Sequence, residues 1–150
     1  MSTLAIQQEL NRIIADMRKE KITDSQFDDL QSLQDPAFLI EIITIFCGTA
    51  PMLFNEIDKQ LKQPVVNYEM IRDHVHQLKG CSSSIGAGQV TRYCMDFNKA
   101  FEQGSLQGVI DALNKAYNEF FRVREKFDQV VQLGQKLLIT MPNRSDERSN

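Results

Sequence analysis

A short segment in the middle of the chain carries a histidine, a lysine and a glycine at helical spacing. The segment, residues 76–87, reads HQLKGCSSSIGA. Lys79 and Gly80 follow His76 at the third and fourth positions, so in a helix all three lie on one face. A histidine side chain in water has a pKa of about 6.5, which leaves a neutral ring nitrogen available as a nucleophile near neutral pH. The segment therefore predicts nucleophilic chemistry at an imidazole beside a positive charge.

Phosphoryl transfer is the reaction that this group of side chains suits best. It demands mainly alignment and neutralisation of charge, and Lys79 would offset the charge of a phosphoryl group on His76. A glycine inside a helix costs about 1 kcal/mol relative to alanine, and at Gly80 it would leave room for an incoming aspartyl phosphate. Gln77 and Ser83 lie near enough to touch the phosphoryl group or a partner, although solvation or helix capping explains them equally well.

The helix that carries this segment must turn His76 towards solvent. Ile71, Val75 and Leu78 define its apolar side, and His76 projects about 130° away from their mean direction. His74 lies about 70° from that direction on the other side, and we expect it to be a boundary residue bonded to a neighbouring helix. The two histidines diverge by about 200° and cannot bind one metal ion. No metal site is expected.

Apolar residues recur at three- and four-residue spacing along almost the whole chain, whereas alternation with a period of two is nearly absent. The pattern predicts an all-α fold of about six helices. Four long helices with short connections can bury their apolar stripes only against one another, which indicates an antiparallel four-helix bundle. We expect the two additional N-terminal helices to pack against or over one end. The domain is predicted to span residues 1–140, followed by a disordered polar tail, residues 141–150.

Start signals divide the first part of the chain into three helices. Leu4 begins the apolar stripe of the first helix. A polar side chain at position 23 or 24 caps a short second helix, whose apolar residues include Leu33. Asp35 followed by a proline starts the third helix. We expect a kink or a break in that helix near Pro51, because proline removes a hydrogen bond and clashes one turn back.

An asparagine and several glycines delimit the other three helices. Asn67 caps the fourth, in which Met70 is expected to point inward. Gly86 and Gly88 mark the turn into the fifth helix, and Gly104 separates the fifth from a long sixth.

Composition and charge exclude several classes of function. The chain has 150 residues, of which 42% are hydrophobic and 25% charged, as in a single globular domain. A net charge of -3 without a basic run argues against nucleic acid as a partner. No segment is expected to reach the ~20 apolar residues of a membrane span, and the N-terminus lacks a signal pattern. Cys47, Cys81 and Cys94 show no zinc spacing and are predicted to be reduced core residues.

The segment around His76 resembles the signature of the histidine-containing phosphotransfer (HPt) proteins of plant two-component relays, in which a similar HQLKG run precedes serines and IGA. The stretches TDSQFDDLQSLQD, FLIEIITIF and DHVHQ and the aromatic-rich last helix also resemble that family, over most of residues 1–138. The chain departs from the family at three places. It has Cys81 where serine is usual, a shorter stretch after Asp35, and Asn98 where arginine or glutamine is common.

The resemblance implies a phosphorelay carrier without turnover of its own. His76 would accept a phosphoryl group from the receiver aspartate of a hybrid histidine kinase, as in cytokinin signalling, and pass it to the receiver of a response regulator. Lys79 and Gly80 would support it, and Asn98 marks the position from which a neighbouring helix would hydrogen-bond the imidazole. The carrier would work in the cytoplasm and the nucleus, have no cofactor of its own, and use Mg²⁺ held by the receiver. We expect a monomer, because its surface must meet two partners in turn.

Two other functions stay open. An adaptor of the HPt fold that binds receivers without being phosphorylated would be favoured by loss of the histidine, which is present. A small hydrolase or transferase using His76 as a base lacks an oxyanion donor, a second acid and a metal set in this segment. Docking of a receiver would need an apolar patch near His76, for which Leu30, Phe38 and Ile40 are candidates.

Overall fold

Six α-helices follow one another along residues 2–140, the part of the chain that a computed structural model describes. In chain order they are α1 (Thr3–Lys19), α2 (Ser25–Gln31), α3 (Pro36–Leu61), α4 (Tyr68–Ile85), α5 (Gly88–Glu102) and α6 (Leu106–Thr140). No strand occurs within residues 2–140, and the predicted all-α fold is confirmed. The predicted tail, residues 141–150, lies outside the described residues.

Helices α2, α3 and α4 each begin at a polar side chain that accepts a hydrogen bond from a free N–H group of the first turn. Asp24, Asp35 and Asn67 are the capping residues of α2, α3 and α4. The cap of α2 is therefore Asp24, and Thr23 is the residue before it. A proline follows Asp35 at the first helical position, where its missing N–H costs no intrahelical bond.

Helices α3, α4, α5 and α6 form a ring in which each packs against the next and α6 closes on α3. Aromatic pairs show that α3 and α6 run in opposite directions, since Phe46 contacts Phe127 while the later Phe54 contacts the earlier Phe120. The centre of the bundle is filled by almost fully buried apolar side chains, among them Ile43, Phe46, Ile71, Val75, Leu78, Phe97, Phe120, Val123 and Phe127. The predicted antiparallel bundle is confirmed.

The N-terminal helices extend this bundle. α1 packs along the C-terminal half of α6. Thr3 Oγ1 donates to the carbonyl of Thr140 at 3.5 Å, and Arg122 Nη2 donates to the carbonyl of Glu20 at 3.0 Å. α5, joined to α6 by a short turn, covers the N-terminal half. One 35-residue helix therefore supports α5 over one half and α1 over the other.

Three residues that were predicted to face inward are exposed. Leu4 is 67% exposed in the first turn of α1, and Met70 is 40% exposed in the first turn of α4. Leu33 is 62% exposed, because α2 already ends at Gln31. Leu4 and Met70 point about 100° or more away from the buried stripes of their helices, whereas Ile6 and Ile71 in the same first turns are almost fully buried.

We expected a kink or a break near Pro51; α3 stays helical through this residue, so the break is absent. Proline leaves the carbonyl one turn earlier without its helical partner. Ala50 and Leu53 on either side are buried against the core, and this packing holds the helix together across the missing bond.

α3 is also long and apolar enough to cross a membrane by length and composition alone, so the expectation that no segment reaches that limit was wrong. A core helix of a bundle meets the same criterion, and α3 packs against α4 and α6. Only 33% of its most apolar window is buried, and Ile45 and Met52 are more than half exposed. α3 thus presents an apolar surface that the described residues leave uncovered.

Candidate functional site

His76 lies near the middle of α4, on the side that faces away from the core. Ile71, Val75 and Leu78 are almost fully buried, whereas His76 is exposed. This is the orientation that the helical spacing predicted. Gln77 is exposed beside it. An incoming protein can therefore reach the imidazole without any rearrangement of the helix.

Lys79 and Gly80 follow on the same face of α4. Lys79 is half-buried, and Gly80 is exposed. A Cβ atom built onto Gly80 would meet no heavy atom within 4 Å. The fold therefore places no steric demand for glycine at this position, and the space beside the imidazole is open.

The serine-rich end of α4 remains helical as far as Ile85. The hydroxyls of Ser82 and Ser84 donate to helix carbonyls three and four residues back, at 3.1 and 2.9 Å. Gly86 then ends the helix with a positive φ of 82°, the left-handed conformation that glycine adopts readily. Ser83 is exposed on the side of His76, one turn beyond Lys79.

Asn98 on α5 lies at about the level of His76. The hydroxyls of Ser82 and Thr91 form a hydrogen bond of 2.8 Å between α4 and α5. Asn98 follows Thr91 by about as many residues as His76 precedes Ser82, so in antiparallel helices Asn98 and His76 lie at similar heights. Asn98 is half-buried. No hydrogen bond joins the two side chains in the described part of the chain.

His74 points to the other side of α4. Both of its ring nitrogens are buried, and neither has a hydrogen-bond partner among residues 2–140. The expectation that it bonds to a neighbouring helix was wrong. It lies on the same side of α4 as Cys81, towards α3, whose buried face is apolar and offers few acceptors. His74 and His76 thus occupy different environments, and they do not converge on one ligand.

An apolar groove of about 290 Å³ lies between α2, α3 and the last turns of α4. Its apolar lining comprises Leu30 from α2, Ile42, Ile45 and Phe46 from α3, and Cys81 and Ile85 from α4. Ser84 also lines it, and the row His76, Gly80, Ser84 leads from the imidazole to the groove over about 12 Å. The groove and the exposed face of α4 therefore form one continuous surface.

Of the three residues predicted to form an apolar patch, only Leu30 lines this groove. Ile40 packs towards α6, where its Cδ1 lies 3.2 Å from the position of a Cβ on Gly134. Phe38 is half-buried outside the groove. Helical periodicity alone does not distinguish which of two neighbouring helices covers a given side of α3.

The three cysteines are free thiols with different degrees of burial. Cys94 is buried, and burial raises the pKa of its thiol to about 12; Cys81 adds to this rise and Lys79 opposes it. Burial also raises the pKa of Cys81 and of Cys47, the latter to about 11. The thiolate is the reactive form, so these cysteines are poor nucleophiles at neutral pH.

Among residues 2–140, no three His, Cys, Asp or Glu side chains lie close enough together to hold a metal ion. The exposed face of α4 thus offers a single imidazole with a lysine beside it, next to open space and an apolar groove.

Comparison with known proteins decides the family. The family model described as the Hpt domain matches residues 41–133. The chain belongs to the Hpt domain family. The match contains α4 and α5 complete, with His76, Lys79 and Gly80, and begins within α3.

Relatives of this Hpt chain cover most of its length. Histidine-containing phosphotransfer protein 2 of Oryza sativa subsp. japonica is 38% identical over 141 residues, 91% of this chain and 95% of the relative. The crystal structure of a putative histidine-containing phosphotransfer protein from rice superposes with a TM-score of 0.84 at 39% identity, over 90% of this chain and 97% of that one. Pseudo histidine-containing phosphotransfer protein 6 of Arabidopsis thaliana is 30% identical over 138 residues, 89% of this chain and 90% of the relative.

Proposed function

We propose that this Hpt chain is a phosphorelay intermediate that carries a phosphoryl group on His76 between receiver domains. The observation that carries the proposal is the exposed imidazole on α4, with Lys79 and Gly80 beside it on the same face. Membership of the Hpt family and relatives named as histidine-containing phosphotransfer proteins support the same function.

The chemistry needs little from the chain beyond a nucleophile in the right place. A ring nitrogen of His76 attacks the phosphorus of the receiver's aspartyl phosphate, the N–P bond forms as the P–O bond breaks, and the carboxylate leaves on the receiver. Lys79 offsets negative charge on the phosphoryl oxygens, and the receiver supplies Mg²⁺. Transfer to a second receiver is the reverse reaction, so the chain is a carrier rather than an enzyme.

The receiver domain is proposed to dock over the exposed face of α4 and into the groove. The phosphorylated aspartate has to approach His76 closely, so the receiver must cover the surface around it. Leu30 and Ile45 lie on that surface, and buried apolar contacts at the centre of an interface contribute most of the binding energy. Because both partners use this one surface, a monomer is sufficient for the relay.

The experiment that tests the carrier uses a ³²P-labelled receiver domain with Mg²⁺, the wild-type chain and the variant His76→Gln. We expect acid-labile, alkali-stable label on the wild type, and none on His76→Gln although it still binds the receiver. His74→Gln is the matched control and should be labelled like the wild type, since both ring nitrogens of His74 are buried on the other side of α4.

Binding of several receivers by the wild type without any label would favour the adaptor, a function to which the pseudo histidine-containing phosphotransfer relative points. Label on His76→Gln would place the phosphoryl group on a different residue.

A further inference from the structure

The start of α2 is attached to the turn between α4 and α5 through Asp24. The backbone N–H of Asp24 donates to the carbonyl of Gly86 at 2.9 Å. Its Oδ1 accepts from the N–H of Gln26 at 2.9 Å and so caps α2. The side chain of Gln26 in turn donates to the carbonyl of Ser84 at 3.3 Å, in the last turn of α4. Residues far apart in sequence thus form one contact, which we call the Asp24 clasp.

Two glycines allow this close approach. A Cβ on Gly86 would collide with the backbone nitrogen of Phe27 and lie 2.8 Å from Asp24 Oδ1. A Cβ on Gly88 would lie 2.7 Å from Asp24 Oδ2. A side chain at Gly86 would push the backbone of α2 away from α4, whereas a side chain at Gly88 would displace the carboxylate of Asp24.

The second carboxylate oxygen of Asp24 also meets an electrostatic need of α5. Ala87 precedes α5 and supplies no side-chain hydrogen bond to its first turn. The free N–H groups and the dipole at a helix start favour a negative charge nearby. Asp24 Oδ2 lies against Gly88, the first residue of α5, and thus provides that charge from another helix.

The clasp helps to hold Leu30 in place, together with the packing of Phe27 and the ion pair between Arg18 and Asp28. α2 has only seven residues, and within the described chain it packs mainly on α4. Phe27 anchors its inner side by stacking on Phe127, with ring centroids 5.2 Å apart. The clasp fixes its start against the α4–α5 turn. Leu30, one turn further along, forms the α2 wall of the apolar groove.

We propose that Asp24 is a positioning residue for phosphotransfer, because the clasp holds Leu30 over the groove and thereby sets how tightly the receiver domain binds. This inference rests on the proposed relay function. Asp24 touches neither His76 nor the phosphoryl group, so its loss should weaken docking and leave the chemical step unchanged. The clasp lies on α2, outside the residues that the family model matches.

The test measures the rate of transfer from a phosphorylated receiver at increasing concentrations of the chain. This series gives the half-saturating concentration and the limiting rate separately. Asn at position 24 can still cap α2 but places an amide where α5 favours a negative charge. We therefore expect Asp24→Asn to raise the half-saturating concentration about two- to fivefold, the range set by a charge at a helix end. The limiting rate should not change. Phosphoramidate, a small donor that needs no docking, should label His76 at the wild-type rate.

Asp35→Asn is the matched control. Asp35 also caps a helix through one oxygen, which accepts from Phe38 at 3.1 Å, but it does not line the groove. The half-saturating concentration measured with Asp35→Asn should equal that of the wild type. Gly88→Ala disturbs the clasp from the side of α5 and serves as the second variant should Asp24→Asn unfold. It should also raise the half-saturating concentration without changing the limiting rate.

A wild-type half-saturating concentration in both Asp24→Asn and Gly88→Ala, or a fall only in their limiting rate, would overturn the positioning role. A different failure would concern the relay itself. If the wild type is labelled by phosphoramidate but never by a receiver, the proposed function fails, whatever the variants do.

Discussion

Gly80 illustrates how one missing side chain separates stability from function. The position is helical, exposed and free of neighbours within 4 Å, so the fold does not require glycine there. Helix propensity disfavours it. Access for the phosphoaspartate of the proposed receiver is the physical reason that we propose for a glycine beside His76.

Gly80→Ala should therefore stabilise the protein while impairing its reaction. We expect the free energy of unfolding to rise by about 1 kcal/mol, and the rate of transfer from a receiver to fall, with labelling by phosphoramidate unaffected. Gly48→Ala is the control, because Gly48 is equally exposed and open in α3 but does not line the groove. Urea unfolding and receiver transfer on both variants check this; Gly80→Ala with wild-type transfer would show that access is not limiting.

Lys79 is the side chain whose positive charge the proposed transfer reaction uses. Its replacement by glutamine keeps the length of the side chain approximately but removes the cation beside the phosphoryl group. We expect Lys79→Gln to lower the limiting rate of transfer about tenfold or more, since hydrogen bonds to charged groups contribute about 1.5–3 kcal/mol. Lys99→Gln on the exposed side of α5 is the control. A limiting rate equal to wild type in Lys79→Gln would mean that the lysine is only a solvated charge.

At the scale of helices, much of the fold follows from local patterns. Asp35 and Asn67 were recognisable as caps because their effect lies within the next three residues. The exposure of Leu4 was also predictable, since at 100° per residue it lies about 150° from the mean direction of Ile6, Leu10 and Ile13. The contact of Asp24 with Gly88 joins positions more than sixty residues apart, and nothing local to either residue indicates it.

The turn between α4 and α5 should be sensitive to substitution for two separable reasons. Gly86 and Gly104 both have a positive φ, of 82° and 70°, which costs about 1–2 kcal/mol for any other residue. Only Gly86 also has α2 directly against it, since Gly104 has nothing within 4 Å. Gly86→Ala should thus lower the free energy of unfolding more than Gly104→Ala does. Equal losses in urea unfolding would mean that α2 yields freely at this contact.

At the scale of the whole molecule, the buried carboxyl group of Glu119 makes stability depend on pH at the junction of α1 and α6. Burial raises the pKa of Glu119 above its ordinary value of 4.5, and Arg122, whose Nη1 lies 3.4 Å from Oε1, opposes the rise. Arg122 also bonds the carbonyl of Glu20 at the end of α1. A group whose pKa is raised by folding stabilises the fold fully below its unfolded pKa, and that contribution is lost as pH rises through the folded pKa.

Glu119→Gln should remove the loss of stability at higher pH, because glutamine remains neutral. Relative to the wild type, we expect the variant to gain stability as pH rises above about 4.5 and to show no such gain at lower pH. Arg122→Gln should steepen the pH-dependent loss, because the opposing cation is gone. Urea unfolding at a series of pH values from acid to neutral measures both, and curves for wild type and Glu119→Gln that stay parallel would contradict the assignment.

The position of His76 also determines the kinetics of a relay. In the proposed relay, one exposed imidazole on one helix face admits a single receiver at a time, so the donor and the acceptor cannot be bound together. The two half-reactions must alternate through the free phosphorylated chain, which gives ping-pong kinetics. Donor and acceptor then compete for the same surface, and an excess of either unphosphorylated receiver slows the overall flow of phosphate.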